Sequence, residues 1–147
     1  MEQFKFSLQK LLEIRENKEE KSKQSFIDAQ RQKRVVEAKL NELQESYDKH
    51  RAFDKNQTLI DQKIKHNYLH AVTIGINEAN KELEKKSKLV EERREKLKID
   101  QIEKKTVEIL KDKKKEEFLK EQNRIEQVRN DEFALYAFIR RNVKGGE

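Results

Sequence analysis

His66 and His70 stand four residues apart, a spacing that stacks two imidazoles on one face of a helix. Two imidazoles so placed could ligate zinc. A zinc site needs a third and usually a fourth donor, yet the chain has no cysteine, and no nearby carboxylate completes an obvious set. The pair reads as polar helix surface, and no metal is expected. Asn56-Gln57-Thr58 fits the N-glycosylation sequon; without a secretory signal it reads more simply as a turn followed by a helix cap. There is no glycine-rich phosphate loop, no nucleophile beside a credible base and no triad. A rod of helix also offers no concave pocket. No catalytic residue and no cofactor are therefore expected, and the chain is read as a non-enzyme.

The composition says what must replace a globular core. Of 147 residues, 33% are hydrophobic and 44% charged, too few apolar groups to fill an interior but enough for a helical seam. Proline, which costs about 3 kcal/mol inside a helix, is absent, and glycine occurs only at Gly75, Gly145 and Gly146. The opening MEQFKF lacks the apolar core of a secretory signal, and no segment approaches the roughly 20 apolar residues of a membrane span. A soluble, cytoplasmic protein is expected. The net charge of +6 comes from 35 basic and 29 acidic residues that are interleaved. Even the longest basic run, Lys113 to Lys115, is flanked by Asp112 and Glu116, so no clean track for phosphates exists and no nucleic-acid partner is expected.

Periodicity separates helix from disorder. Leu8, Leu12, Phe26, Ala29, Val36, Leu40, Leu43 and Tyr47 fall on one helical stripe, interrupted by Arg15, Glu19, Ser22 and Lys33. In the second half, every seventh residue reads Ile76, Leu83, Val90, Leu97, Lys104, Lys111, Phe118, Ile125, Glu132, Ile139, with companions at Ala79, Val107, Val128 and Leu135. A strict seven-residue repeat imposes a left-handed supercoil. The seam looks poorest between Asp100 and Lys115. The chain reverses either at Asp54-Lys55-Asn56-Gln57, with Thr58 as a cap, or at Gly75; Ile60, Ile64, Tyr68, Val72 and Ile76 run past Gly75 every four residues and favour the first.

The spacing thus predicts a single all-α domain, a long two-helix antiparallel coiled-coil hairpin. Helix 1 is expected over about 3–53, the turn over 54–57, helix 2 over about 58–141 and a flexible tail over 142–147. Folding back there pairs position i with about 112 − i, so Phe4 would lie near residue 108 and helix beyond about 110 would project alone. Such a projection is marginal in water by itself. It nevertheless carries Phe118, Ile125, Val128, Phe133, Leu135, Tyr136, Phe138 and Ile139. Of the ten aromatic residues, Phe4, Phe6, Phe133, Tyr136 and Phe138 cluster at the chain ends. Exposed aromatics are common anchors for partner proteins; the alternative is that they pack on each other. With Arg140 and Arg141 beside them, a membrane-surface helix is the weaker third option, because the apolar stretch is short.

The opening Phe4-Lys5-Phe6-Ser7-Leu8-Gln9-Lys10-Leu11-Leu12, with Arg15 following, resembles the start of FliJ-family proteins of the bacterial flagellar type III export apparatus. The segment Glu126-Gln127-Val128-Arg129-Asn130-Asp131-Glu132 is similar to that family's acidic element near the C-terminus. The resemblance covers nearly the whole chain. It implies a stalk like the gamma subunit of rotary ATPases, whose open end enters the hexameric ring of the flagellar export ATPase. That protein promotes ring assembly, couples the ring to the membrane export gate protein and helps cycle export chaperones. The implied location is cytoplasmic, peripheral at the inner membrane, without insertion. On this resemblance the ring contacts are Phe4, Phe6, Phe133, Tyr136, Phe138, Arg140 and Arg141, and the gate contacts Leu43, Tyr47, Tyr68 and Val72. His50 stands where the family would suggest an aromatic and Gly75 where it would suggest alanine; Leu43 and Tyr68 serve equally well as seam residues. The rivals are a general scaffold coiled coil, a nucleic-acid-binding arm and the equivalent stalk of a virulence-type secretion system.

Overall fold

The computed structural model describes residues 2–52 and 54–145. Helix α1 spans Gln9–His50 and helix α2 Leu59–Lys144, 42 and 86 residues respectively. They form an all-α antiparallel hairpin whose second helix is the longer. Gly75 lies inside α2, and the chain reverses between His50 and Leu59. Phe53, at the expected end of helix 1, and Gly146 and Glu147, in the expected tail, lie outside the described residues.

Local chemistry sets the helix ends. Thr58 and Asp61 form a reciprocal capping box: the Asp61 N–H donates to Thr58 Oγ1 (3.2 Å) and the Thr58 N–H to Asp61 Oδ2 (3.4 Å). Just before it, Asp54 Oδ1 accepts from the Asn56 N–H at 3.0 Å, an Asx turn. At the end of α1, the Arg51 N–H reaches the Tyr47 carbonyl (2.9 Å) and His50 Nδ1 the Ser46 carbonyl (2.8 Å). Lys49 and His50 in this last turn face the negative end of the helix dipole. Helix α1 starts at Gln9 and not near residue 3, because Phe4 leaves the helical path to pack its ring on Phe118.

Contacts divide the chain into two units, Asn17–Gln101 and Met1–Glu16 with Ile102–Glu147. In the first unit the stripe read from the sequence is the packed one. Ser22, Ala29 and Leu40 are buried on α1, and Val72, Ala79, Val90 and Asp100 on α2. Phe26, Val36, Leu43, Tyr47, Ile76, Leu83 and Leu97 are half-buried beside them. Each fully buried Val or Leu contributes about 1.5–3 kcal/mol, so this narrow seam holds the helices without a globular core. In the second unit Leu12 and Val107 are buried, Arg15 bonds Glu103, and Lys111 Nζ donates to Gln9 Oε1 at 2.9 Å.

The register differs from the expected 112 − i. In the first unit Ser25 meets Arg93, Gln32 meets Lys86, Leu43 approaches Gly75 and His50 meets Tyr68, so position i faces 118 − i. The reversal accommodates this offset. It is not a tight four-residue turn: the described residues 51, 52 and 54–58 all lie outside helix, and Lys65 in the second turn of α2 bonds the Ala52 carbonyl. Ile60 and Ile64 are consequently exposed, together with Leu59 at 84%. A four-residue spacing drifts about 40° per step, which is why Ile60 and Ile64 miss the seam that Val72 enters. In the second unit Phe4 meets Phe118 and not residue 108, so pairing reaches about eight residues past the expected 110.

Candidate partner-binding surfaces

The distal part of α2 is the most unusual surface. From Glu126 to Gly145 every residue is exposed, although heptad positions continue through Val128, Leu135 and Ile139. Phe133 is 71%, Tyr136 62% and Phe138 61% exposed. Phe133 through Ile139 contain no charge. At about 100° per residue, Phe133 and Phe138 point roughly 140° apart, Leu135, Tyr136 and Ile139 fill the wider arc, and Ala134 and Ala137 fill the narrower one. The helix is therefore apolar on all sides here, which is the signature of a helix meant to be surrounded. Arg140 and Arg141 follow at once and project to different sides.

The aromatics named from the sequence fall into two groups. Phe4 packs on Phe118 with ring centroids 5.6 Å apart and planes at 52°. It shares an open cleft of about 560 Å³ with Phe6, Gln9, Lys111 and Lys115. Phe133, Tyr136 and Phe138 begin fifteen residues farther along α2, about 22 Å at helical rise. The structure thus does not bring Phe4 and Phe6 together with the distal three. Between the groups, Arg124 makes a forked pair with Glu121, with N–O distances of 2.7 and 3.0 Å. The Arg124 hydrogen bond holds the Glu121 carboxyl below its usual range, and the same bond raises the guanidinium.

In the Asn17–Gln101 unit, Val72 is buried and Leu43 and Tyr47 are half-buried, all three in the seam. Tyr68 is 42% exposed and meets His50 edge-on, at 5.1 Å and 68°. Around this pair lies an open groove of about 490 Å³, lined also by Ile64, Lys65, Asp54 and Asp61. Of the four residues, Tyr68 is the one a partner can reach most freely. His66 and His70 are exposed, and among the described residues no group of three His, Cys, Asp or Glu side chains is arranged to hold a metal. No described helix is long and apolar enough to cross a membrane.

Sequence reasoning missed Asp100, which is 2% exposed and receives a hydrogen bond from the Ser22 hydroxyl. The available signal was its phase. Asp100 stands seven residues before Val107 and twenty-one after Ala79, both buried.

No curated protein and no solved structure gives a match to this chain. A family description, the flagellar FliJ protein, matches residues 4–143. With nearly the whole sequence covered, the chain belongs to the flagellar FliJ protein family.

Proposed function

We infer that the protein is a stalk of the flagellar protein export apparatus, whose distal α2 segment enters the ring of the export ATPase and promotes its assembly. One observation carries this reading: the segment Phe133–Ile139 is exposed at every residue yet apolar on every side. A partner that docks on one face would leave the other aromatics in water, whereas a ring covers them all. Phe133, Tyr136 and Phe138 are the anchors, and Arg140 and Arg141 supply charge to acidic groups of the ring. Phe4 and Phe6, which lie farther back along α2, are assigned to the rim. Tyr68, with Leu43, Tyr47 and Val72 holding it in place, faces the membrane export gate, and exchange of export chaperones belongs to the same cytoplasmic assembly beside the inner membrane. Family membership and the hairpin with its longer second helix support this assignment.

The test is the turnover of the flagellar export ATPase with the full chain and with a chain ending at residue 128. Stimulation by the full chain that vanishes on truncation agrees with the reading. Equal stimulation by both, or by neither, overturns it. A second reading, a scaffold that pairs through Val128, Leu135 and Ile139 with another copy, is favoured by the continuing heptads. It requires the free protein to dimerise at micromolar concentration in sedimentation equilibrium, and to lose that dimer on the same truncation.

A further inference from the structure

A heptad ladder defines which face of a helix packs but not how far the helix has slid. On α2, Ile76, Leu83, Val90 and Leu97 occupy four successive equivalent slots. A slip of one heptad moves the helices about 10 Å and returns an aliphatic side chain to nearly every such slot. The reversal does not forbid the slip. The described residues between the helices, 51, 52 and 54–58, are non-helical, and Leu59 and Ile60, in the first turn of α2, are exposed, so chain can be taken up or released there at little cost. Something else must select the alignment.

Asp100 has the properties of a selector. It occupies a seam slot in phase with Ala79 and Val107, and at 2% exposure it is as deeply buried as Ala29 across the described residues. On α1 it lies between Lys18, whose Nζ is 3.5 Å from its Oδ1, and Ser22, whose hydroxyl donates to its Oδ2. A buried carboxylate left without such partners costs several kcal/mol, so the alignment that supplies both is strongly preferred. The slip that brings Val107 to Lys18 sets Asp100 between Ser25 and Ala29, away from the lysine. The opposite slip sets Arg93 against Lys18. We propose that Asp100, clasped by Lys18 and Ser22, is the register key of this hairpin: it selects one of the heptad-spaced alignments that the aliphatic ladder leaves open. A polar group in a seam is best attested in this role, where it lowers stability relative to an apolar layer but specifies the pairing. The key makes the coil a strut of fixed alignment, and its removal lets α1 and α2 slide.

The natural chain has no cysteine, so introduced pairs report alignment without background. Gln32→Cys is combined in turn with Lys86→Cys for the native alignment, and with Arg93→Cys and Ala79→Cys for the two slipped ones. In the otherwise unchanged full-length protein, only the first pair closes a disulfide rapidly. With Ser22→Ala and Asp100→Leu added, helical circular dichroism and melting temperature hold or rise. At least one slipped pair then closes to a tenth or more of the native yield. Asp100→Ala alone is scored in the same way, so that poor folding of the double variant leaves the answer open to neither side. Native-only closure in a folded variant of either kind overturns the proposal.

Discussion

Gly75→Ala is expected to stabilise the protein. Gly75 is half-buried inside α2, and no described glycine has a positive φ, so its backbone is one that alanine adopts freely. An added Cβ would lie 3.4 Å from Leu43 Cδ1 and 3.6 Å from Cδ2, which is van der Waals contact with the mobile end of a flexible side chain. Replacing an interior helical glycine with alanine gains about 1 kcal/mol in helix propensity, and a partly buried methyl adds some fraction of about 0.8 kcal/mol. Any adjustment of Leu43 is worth a few tenths in the other direction, so the net gain is about 1 kcal/mol, or roughly 2–4 °C in melting temperature for a chain of this size. Urea and thermal unfolding followed by circular dichroism measure it. Gly75→Ile is the control, since atoms beyond Cβ run into Leu43 and overpacking costs about 1–3 kcal/mol. A Gly75→Ala protein less stable than its parent would refute the reasoning, because Leu43 would then need glycine beneath it.

Other expectations follow from single contacts. Ser22→Ala leaves the buried Asp100 carboxylate without its hydroxyl donor and should cost about 1–3 kcal/mol in urea unfolding; a cost under about 0.3 kcal/mol would contradict the buried bond. Thr58→Ala removes the cap of α2, worth about 1 kcal/mol locally, so amide exchange should speed up at residues 59–62 and not in the Val72–Val90 core. The Glu121 carboxyl, held down by Arg124, should titrate below an ordinary glutamate by NMR. Because its folded value is depressed, the pair's stabilising contribution is present above the unfolded glutamate range and fades as pH falls through the folded value. Arg124→Gln should restore an ordinary titration.

The elements legible from the sequence were those set by period. Leu12, Ala29, Leu40, Val90 and Val107 lie where the stripes put them, because a seven-residue apolar repeat admits one packed face. The Thr58 cap was legible from residue type, as its chemistry is local. The register was not. It rests on contacts between residues far apart in sequence, such as Asp100 with Lys18 and Ser22, and Lys65 reaching back to the Ala52 carbonyl is likewise a contact that no local pattern announces. Asp100 was read as the beginning of a weak seam because aspartate usually faces water. Its burial becomes intelligible only once Ser22 and Lys18 stand across from it, and that needs the register first. The distal aromatics were found by composition, and their arrangement around the whole circumference follows from unbroken helix through Lys144. The separation of Phe4 from Phe133 required the Phe4–Phe118 contact.

Enclosure of the distal segment is tested most directly by thiol protection. Single cysteines at each position from 133 to 139, in a chain that otherwise has none, are reacted with a maleimide in the free protein and with the hexameric export ATPase. A ring around the helix protects all seven positions. Protection of one stripe, recurring every three or four residues, would show docking against a single face, and unchanged reactivity throughout would show that the ATPase does not bind this segment.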